Sequence, residues 1–86
     1  MKLIYCINCS DLFRLTLDPK RCICGDSGGY YKEDGHNAWV SDKSVVLGMD
    51  NMDLSDAVSL YRRDGTGRVI MAFILNEKAS TIERGE

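Results

Sequence analysis

Cys6-Ile7-Asn8-Cys9 and, after twelve intervening residues, Cys22-Ile23-Cys24-Gly25 form the stretch that decides the fold. Two residues between the first pair of thiols let a tight turn aim both sulfurs at one point. Cys22 and Cys24 are closer than the common spacing. On an extended segment, side chains at i and i+2 lie on one side, so this pair can still chelate together. Gly25 then lets the chain turn away with positive φ. Two such pairs brought together make the tetrahedral four-thiolate set that zinc accepts.

The residues between the pairs read as a hairpin. Leu12-Phe13-Arg14-Leu15-Thr16-Leu17 alternates at Phe13, Leu15 and Leu17, Asp18-Pro19-Lys20 is a turn signal, and Arg21 to Cys24 is the returning strand. That is the layout of a zinc ribbon, with Cys6, Cys9, Cys22 and Cys24 holding one structural Zn2+. A rubredoxin-type iron site also uses four thiolates, but its second turn usually has the wider spacing. Four thiolates close the coordination sphere and leave no place for a catalytic water. His36, the sole histidine, reads as a surface or hydrogen-bonding residue and not as a fifth candidate ligand.

Size agrees with a metal staple. A chain of 86 residues, 44% apolar, makes one small domain whose core stabilises it only modestly. The formal net charge of −2 gives no electrostatic drive toward nucleic acid or membrane. No apolar run approaches the ~18 residues of a membrane span. The apolar start stops too early for a secretory segment. A soluble, cytoplasmic protein is expected, and there grouped cysteines favour metal over disulfides.

Residues 1–27 are read as the ribbon module. Residues 28–86 are read as a small body packed with it as one compact domain. Ser27-Gly28-Gly29 is the expected joint. Tyr30 to Lys32 and His36 to Val40 are strands around an Asp34-Gly35 turn, and Ser44 to Gly48 is a third strand of an antiparallel meander. A helix follows over 54–63, with Asp53 as N-cap or Ser55 as the alternative. Its apolar residues Leu54, Ala57, Val58 and Tyr61 recur at helical spacing. Val69 to Leu75 shows no alternation and is expected to be buried on both faces, by the ribbon or by a second subunit. Residues 76–86 read as a loose polar tail. The fold class is therefore α+β: an N-terminal zinc-ribbon β-hairpin joined to a small antiparallel β-meander with one α-helix.

No catalytic constellation can be assembled once all four cysteines are ligands, so the chain reads as non-enzymatic. Two segments are candidate ligand surfaces. Arg62, Arg63 and Arg68 flank a Gly-Thr-Gly turn, and guanidinium forks with exposed amides grip phosphate or carboxylate. The same residues also suit a plain helix end. Tyr30, His36 and Trp39 beside Gly28-Gly29 can stack a flat ligand, or the aromatics can fill a core. Lys2, Arg14, Lys20 and Arg21 make the ribbon mildly basic.

Lys2 to Cys9, Cys22 to Gly25, Gly28-Gly29-Tyr30, Asp34-Gly35 and Asn37-Ala38 together resemble small uncharacterised zinc-ribbon proteins of bacteria and their phages. The resemblance implies zinc and a compact α+β body. As a class expectation it implies an accessory role antagonising host defence, by binding a host protein or sequestering a nucleotide signal. The alternatives are a nucleic-acid-binding ribbon of transcription or replication and a small redox or catalytic metalloprotein. A homodimer is also expected.

Overall fold

A computed structural model describes residues 1–85; Glu86, the end of the expected tail, lies outside the described residues. The chain forms one helix and two four-stranded sheets, an α+β fold. The strands are β1 (Lys2–Cys6), β2 (Leu12–Arg14), β3 (Lys20–Arg21), β4 (Gly28–Tyr31), β5 (Ala38–Ser41) and β6 (Ser44–Met49). The helix α1 (Asn51–Asp64), β7 (Ala72–Ile74) and β8 (Ile82–Gly85) complete the order. One sheet runs β2-β1-β6-β7 and the other β3-β4-β5-β8. Each sheet takes strands from both sides of residue 27.

The ribbon is built differently from the expected hairpin. Leu12 to Arg14 does not pair with Arg21 to Cys24. It pairs with β1, placing Phe13 opposite Ile4, while β3 pairs with β4, placing Lys20 opposite Gly29. Each cysteine pair therefore sits on its own turn between two antiparallel strands. A turn of this kind needs partners on both flanks, and those partners lie outside residues 12–24.

Burial alternates where one face meets the core. In β6, Ser44, Val46 and Gly48 are buried and their neighbours are half-buried. Ile4 and Val46 lie opposite each other in register. They meet Ala38, Val40 and Leu15, and Phe13, Tyr31, Leu75 and Ile82 close the rim. The core thus lies between the sheets, with Ile4 and Val46 from one and Ala38 and Val40 from the other.

The Asp34-Gly35 turn forms as read. The Asp34 carboxylate accepts from the His36 and Asn37 amides, both at 2.9 Å, and Gly35 takes φ +68°. The third meander strand leaves the meander, because β6 crosses to pair with β1. The expected joint at 27–29 is not a joint: Ser27, Gly28 and Gly29 are buried, and the glycines belong to β4. A side chain at Gly29 would lie 2.4 Å from the Trp39 carbonyl oxygen, so glycine is required there by close packing. The expected tail is also ordered at its end. Residues 82–85 form β8, parallel to β5, with Ala38 opposite Ile82. Parallel pairing to a distant strand leaves no local sequence signal.

The helix starts earlier than expected. Asp50 is the N-cap, accepting from the Met52 and Asp53 amides, and Gly65 closes the C-terminus in the left-handed region. No residue of α1 is buried. The segment after it departs most from expectation. Residues 69–75 were expected to be covered on both faces. Only 72–74 form a strand, and that strand is the outer edge of its sheet. Val69 is 90% exposed, Met71 71% and Phe73 54%. Neither the helix nor the ribbon covers them.

Candidate metal centre

The four cysteine sulfurs all lie within 4.8 Å of one another and form no disulfide. Cys6 and Cys24 sulfurs are 3.6 Å apart, and Cys22 and Cys24 sulfurs 3.5 Å. A tetrahedron with metal–sulfur bonds of ~2.3 Å has edges of about 3.8 Å. The set therefore fits a four-thiolate metal site.

Each pair is fixed by its turn. Cys6 ends β1; the Ser10 amide donates to the Cys6 carbonyl at 2.8 Å, and the Cys6 amide to the Asp11 carbonyl at 2.9 Å. Ser10 takes φ +61° to close this loop, a conformation usually left to glycine or asparagine. The second pair lies in a turn and not on an extended segment. The Gly25 amide donates to the Cys22 carbonyl at 3.1 Å, with Gly25 at φ +84°. The short spacing chelates because the backbone bends between Cys22 and Cys24.

Donors surround the sulfurs. The Ser27 amide reaches Cys22 Sγ at 3.3 Å and the Asn8 amide group reaches Cys24 Sγ at 3.4 Å. The Ser27 side chain, then the backbone at Cys9, hold the Cys6 thiol down at about 6 in spite of its burial. Burial acts most strongly on Cys22 and raises its pKa, yet the Ser27 backbone and Cys24 bring it below the ordinary thiol value. At Cys24 the Asn8 amide, the largest single influence, and the Asp26 backbone favour the thiolate. Burial with the Cys22 and Cys6 sulfurs together outweighs them and pushes it up to about 11. Four adjacent thiolates repel one another, and a bound cation removes that cost.

A buried hydroxyl cluster ties the second turn to the body. Ser41 and Ser44 hydroxyls lie 2.8 Å apart, and the Gly28 amide reaches each at 3.1 Å. Ser41 also donates to the Asp26 carbonyl at 3.2 Å, and Ser27 to the Lys43 carbonyl at 3.3 Å. Arg84 grips the same corner through the Ser44 carbonyl at 2.7 Å. In sequence, Ser41 to Lys43 reads as a turn and Ser44 as the start of a strand. Serines in a turn carry no mark that they will be buried.

The other sequence-derived residues are dispersed. Arg68 is taken up by Asp53, at 2.9 Å, and Arg63 lies beside Asp64 at 3.5 Å. Arg62 is exposed on the last turn of α1. The three arginines are not gathered into one site. Tyr30 and Trp39 stack on each other, with ring centroids 5.8 Å apart, and do not converge with His36. His36 instead borders a separate polar cavity with Lys2 and Arg14.

No helix among the described residues is long and apolar enough to cross a membrane. No protein-family profile, curated protein or solved structure significantly matches the chain.

Proposed function

We propose that this is a non-catalytic binding protein, stapled at its ribbon end by one zinc ion, that engages its partner through α1 and residues 69–74. Zinc suits the four-sulfur set better than harder cations. Closed thiolate ligation makes the metal a support and leaves it no open position for chemistry. Free thiols gathered as ligands suit a reducing compartment, and we place the protein in the cytoplasm.

The observation that carries the binding role is the apolar arm. Val58, Tyr61, Val69, Met71, Phe73 and Ile74 are all large and about half exposed or more. Single exposed apolar residues need no explanation, but Val69, Met71 and Phe73 alternate along one stretch and leave three large side chains uncovered in five residues.

A second copy of the chain is the occupant this arm fits. Its charges are self-complementary. Asp53 and Asp56 begin α1, and Arg62 and Arg63 end it. Asp53 already holds Arg68, and Arg63 lies beside Asp64. Under a two-fold axis across the helix, the acidic first turn of one copy runs beside the basic last turn of the other. The β7 edge is self-complementary too, since two edge strands can pair antiparallel. A host protein, the partner expected of a phage-type accessory protein, is the other occupant of this surface.

Light scattering on a concentration series separates the two. A dimer is expected, and Phe73→Asp with Tyr61→Asp is expected to give a monomer with its zinc retained. A wild-type monomer up to high micromolar concentration would overturn self-association.

A further inference from the structure

We infer that the cavity between Lys2, Arg14, Tyr31 and His36 is a binding site for the phosphate group of a small molecule. Four parts of the chain meet there: the start of β1, the end of β2, the end of β4 and the Asp34-Gly35 turn. The first residue of α1, Asn51, closes one side. The cavity measures about 340 Å³ and its walls are mostly polar. That is the small end of the range for ligand pockets and leaves room for a phosphate ester as well as a bare ion.

The wall offers donors and no carboxylate. Lys2 Nζ donates to the His36 carbonyl at 2.9 Å and lies 5.6 Å over the Tyr31 ring, which fixes one cation at the rim. An ammonium has three donors, so two remain for a ligand. The Tyr31 hydroxyl accepts from the Lys2 amide at 2.8 Å, and its own proton has no protein acceptor among the described residues. Arg14 makes no hydrogen bond or ion pair among the described residues. Its fork is the group best matched to two phosphate oxygens. The His36 imidazole adds a further donor. The nearest carboxylates are already engaged: Asp34 accepts from His36 and Asn37, and Asp50 caps α1.

The contrast with the rest of the molecule sharpens this. The chain as a whole carries a net charge of −2, yet this cavity gathers two permanent cations and the sole histidine. Leu3 stands opposite Arg14, so strand alternation brings Lys2 and Arg14 to the cavity at the end of the β1–β2 pair from opposite faces of the sheet. The β1–β2 ladder holds the two cations at this end of the sheet. This site is independent of the apolar arm, which lies on α1 and β7.

The test is an NMR titration of the zinc-loaded protein at constant ionic strength, with inorganic phosphate in one arm and adenosine monophosphate in the other. Saturable shifts are expected for the His36 ring and the Arg14 side chain. Arg14→Gln is expected to weaken binding by about tenfold, and Lys2→Gln with Arg14→Gln to abolish it, since each removes a charge-assisted contact to the phosphate. Arg14 is exposed, so its loss leaves the fold intact, which the amide spectrum verifies. Tighter binding of the nucleotide identifies a phosphate ester as the ligand; equal binding identifies free phosphate. Absence of saturable shifts in both arms, or equal shifts in the double variant, would overturn the site.

Discussion

The backbone amide of Ser27 donates a hydrogen bond to the sulfur of Cys22 at 3.3 Å, while the Ser27 hydroxyl bonds the Lys43 carbonyl at the same distance. One buried residue thus supports a metal ligand and anchors the turn that carries it to the β5–β6 corner. The thiol cluster and the packing of the body are joined at this point, so a metal held by the four sulfurs would add to the stability of the whole domain.

Metal removal is therefore expected to be felt beyond the N-terminal third. A strong chelator, or Cys24→Ser, should lower the melting temperature by at least about 10 °C, which corresponds to a few kcal/mol in a domain of this size. Cobalt substitution should give the absorption of a tetrahedral thiolate site. Ser27→Ala should keep the fold and weaken metal binding by about 10–100-fold, the usual cost of losing a group that supports a ligand. An unchanged melting curve for the stripped protein would contradict the staple.

Acidification should release the metal, because each ligand must lose its proton to bind. The Cys6 thiol is held down at about 6 by Ser27 and the Cys9 backbone, whereas Cys24 sits at about 11 without metal. Cys24 is then the first ligand to be reprotonated as pH falls. Release, measured with a metal-sensitive dye, should rise as pH falls, and a metal content unchanged at about pH 4 would contradict thiolate ligation.

Gly29→Ala should be among the most damaging single-methyl changes. The added carbon would lie 2.4 Å from the Trp39 carbonyl oxygen and 3.0 Å from Val40. Backbone of a paired strand cannot step aside cheaply. A loss of about 1–3 kcal/mol is expected from denaturant unfolding, the usual cost of overpacking. Gly35→Ala meets open space but has φ +68°, so it should cost less, about 1 kcal/mol.

Much of this was legible in sequence and some was not, for physical reasons. The cysteine set, the Asp34-Gly35 turn and one amphipathic helix follow from local chemistry: chelate spacing, an Asx turn and 3.6-residue periodicity. Strand partners do not. Phe13 and Leu15 alternate convincingly, but nothing in them says that β1, and not Arg21 to Cys24, lies alongside. Ile82 to Gly85 looks polar because β8 is an edge strand paired on one side only. Residues 69–75 show the reverse error. An unbroken apolar run predicts burial, but nothing among the described residues covers it. Lys2, Arg14 and His36 are far apart in sequence, so no motif could have gathered them.

The attachment of the arm rests on one carboxylate, and its pH response can be given a sign. Asp53 accepts the Met71 amide at 3.0 Å and pairs with Arg68 at 2.9 Å. The Met71 amide first, then Arg68, hold its carboxyl below the ordinary range. A carboxyl depressed in the folded state stabilises it above the unfolded value of ~3.9 and ceases to do so as pH falls through the lower folded value. Residues 68–71 should therefore stay docked on α1 at neutral pH and detach in acid below about pH 4. Asp53→Asn removes the charge but keeps the Arg68 bond to the Asp53 carbonyl at 2.9 Å, so it should loosen them at every pH. Hydrogen exchange at the Met71 amide reads this directly, because that amide has the Asp53 carboxylate as its acceptor. Faster exchange at Met71 in the variant, with exchange at the Ile4 and Val46 amides unchanged, is the expected outcome. Equal loss of protection across all three would mean that Asp53 supports the whole domain and not the arm alone.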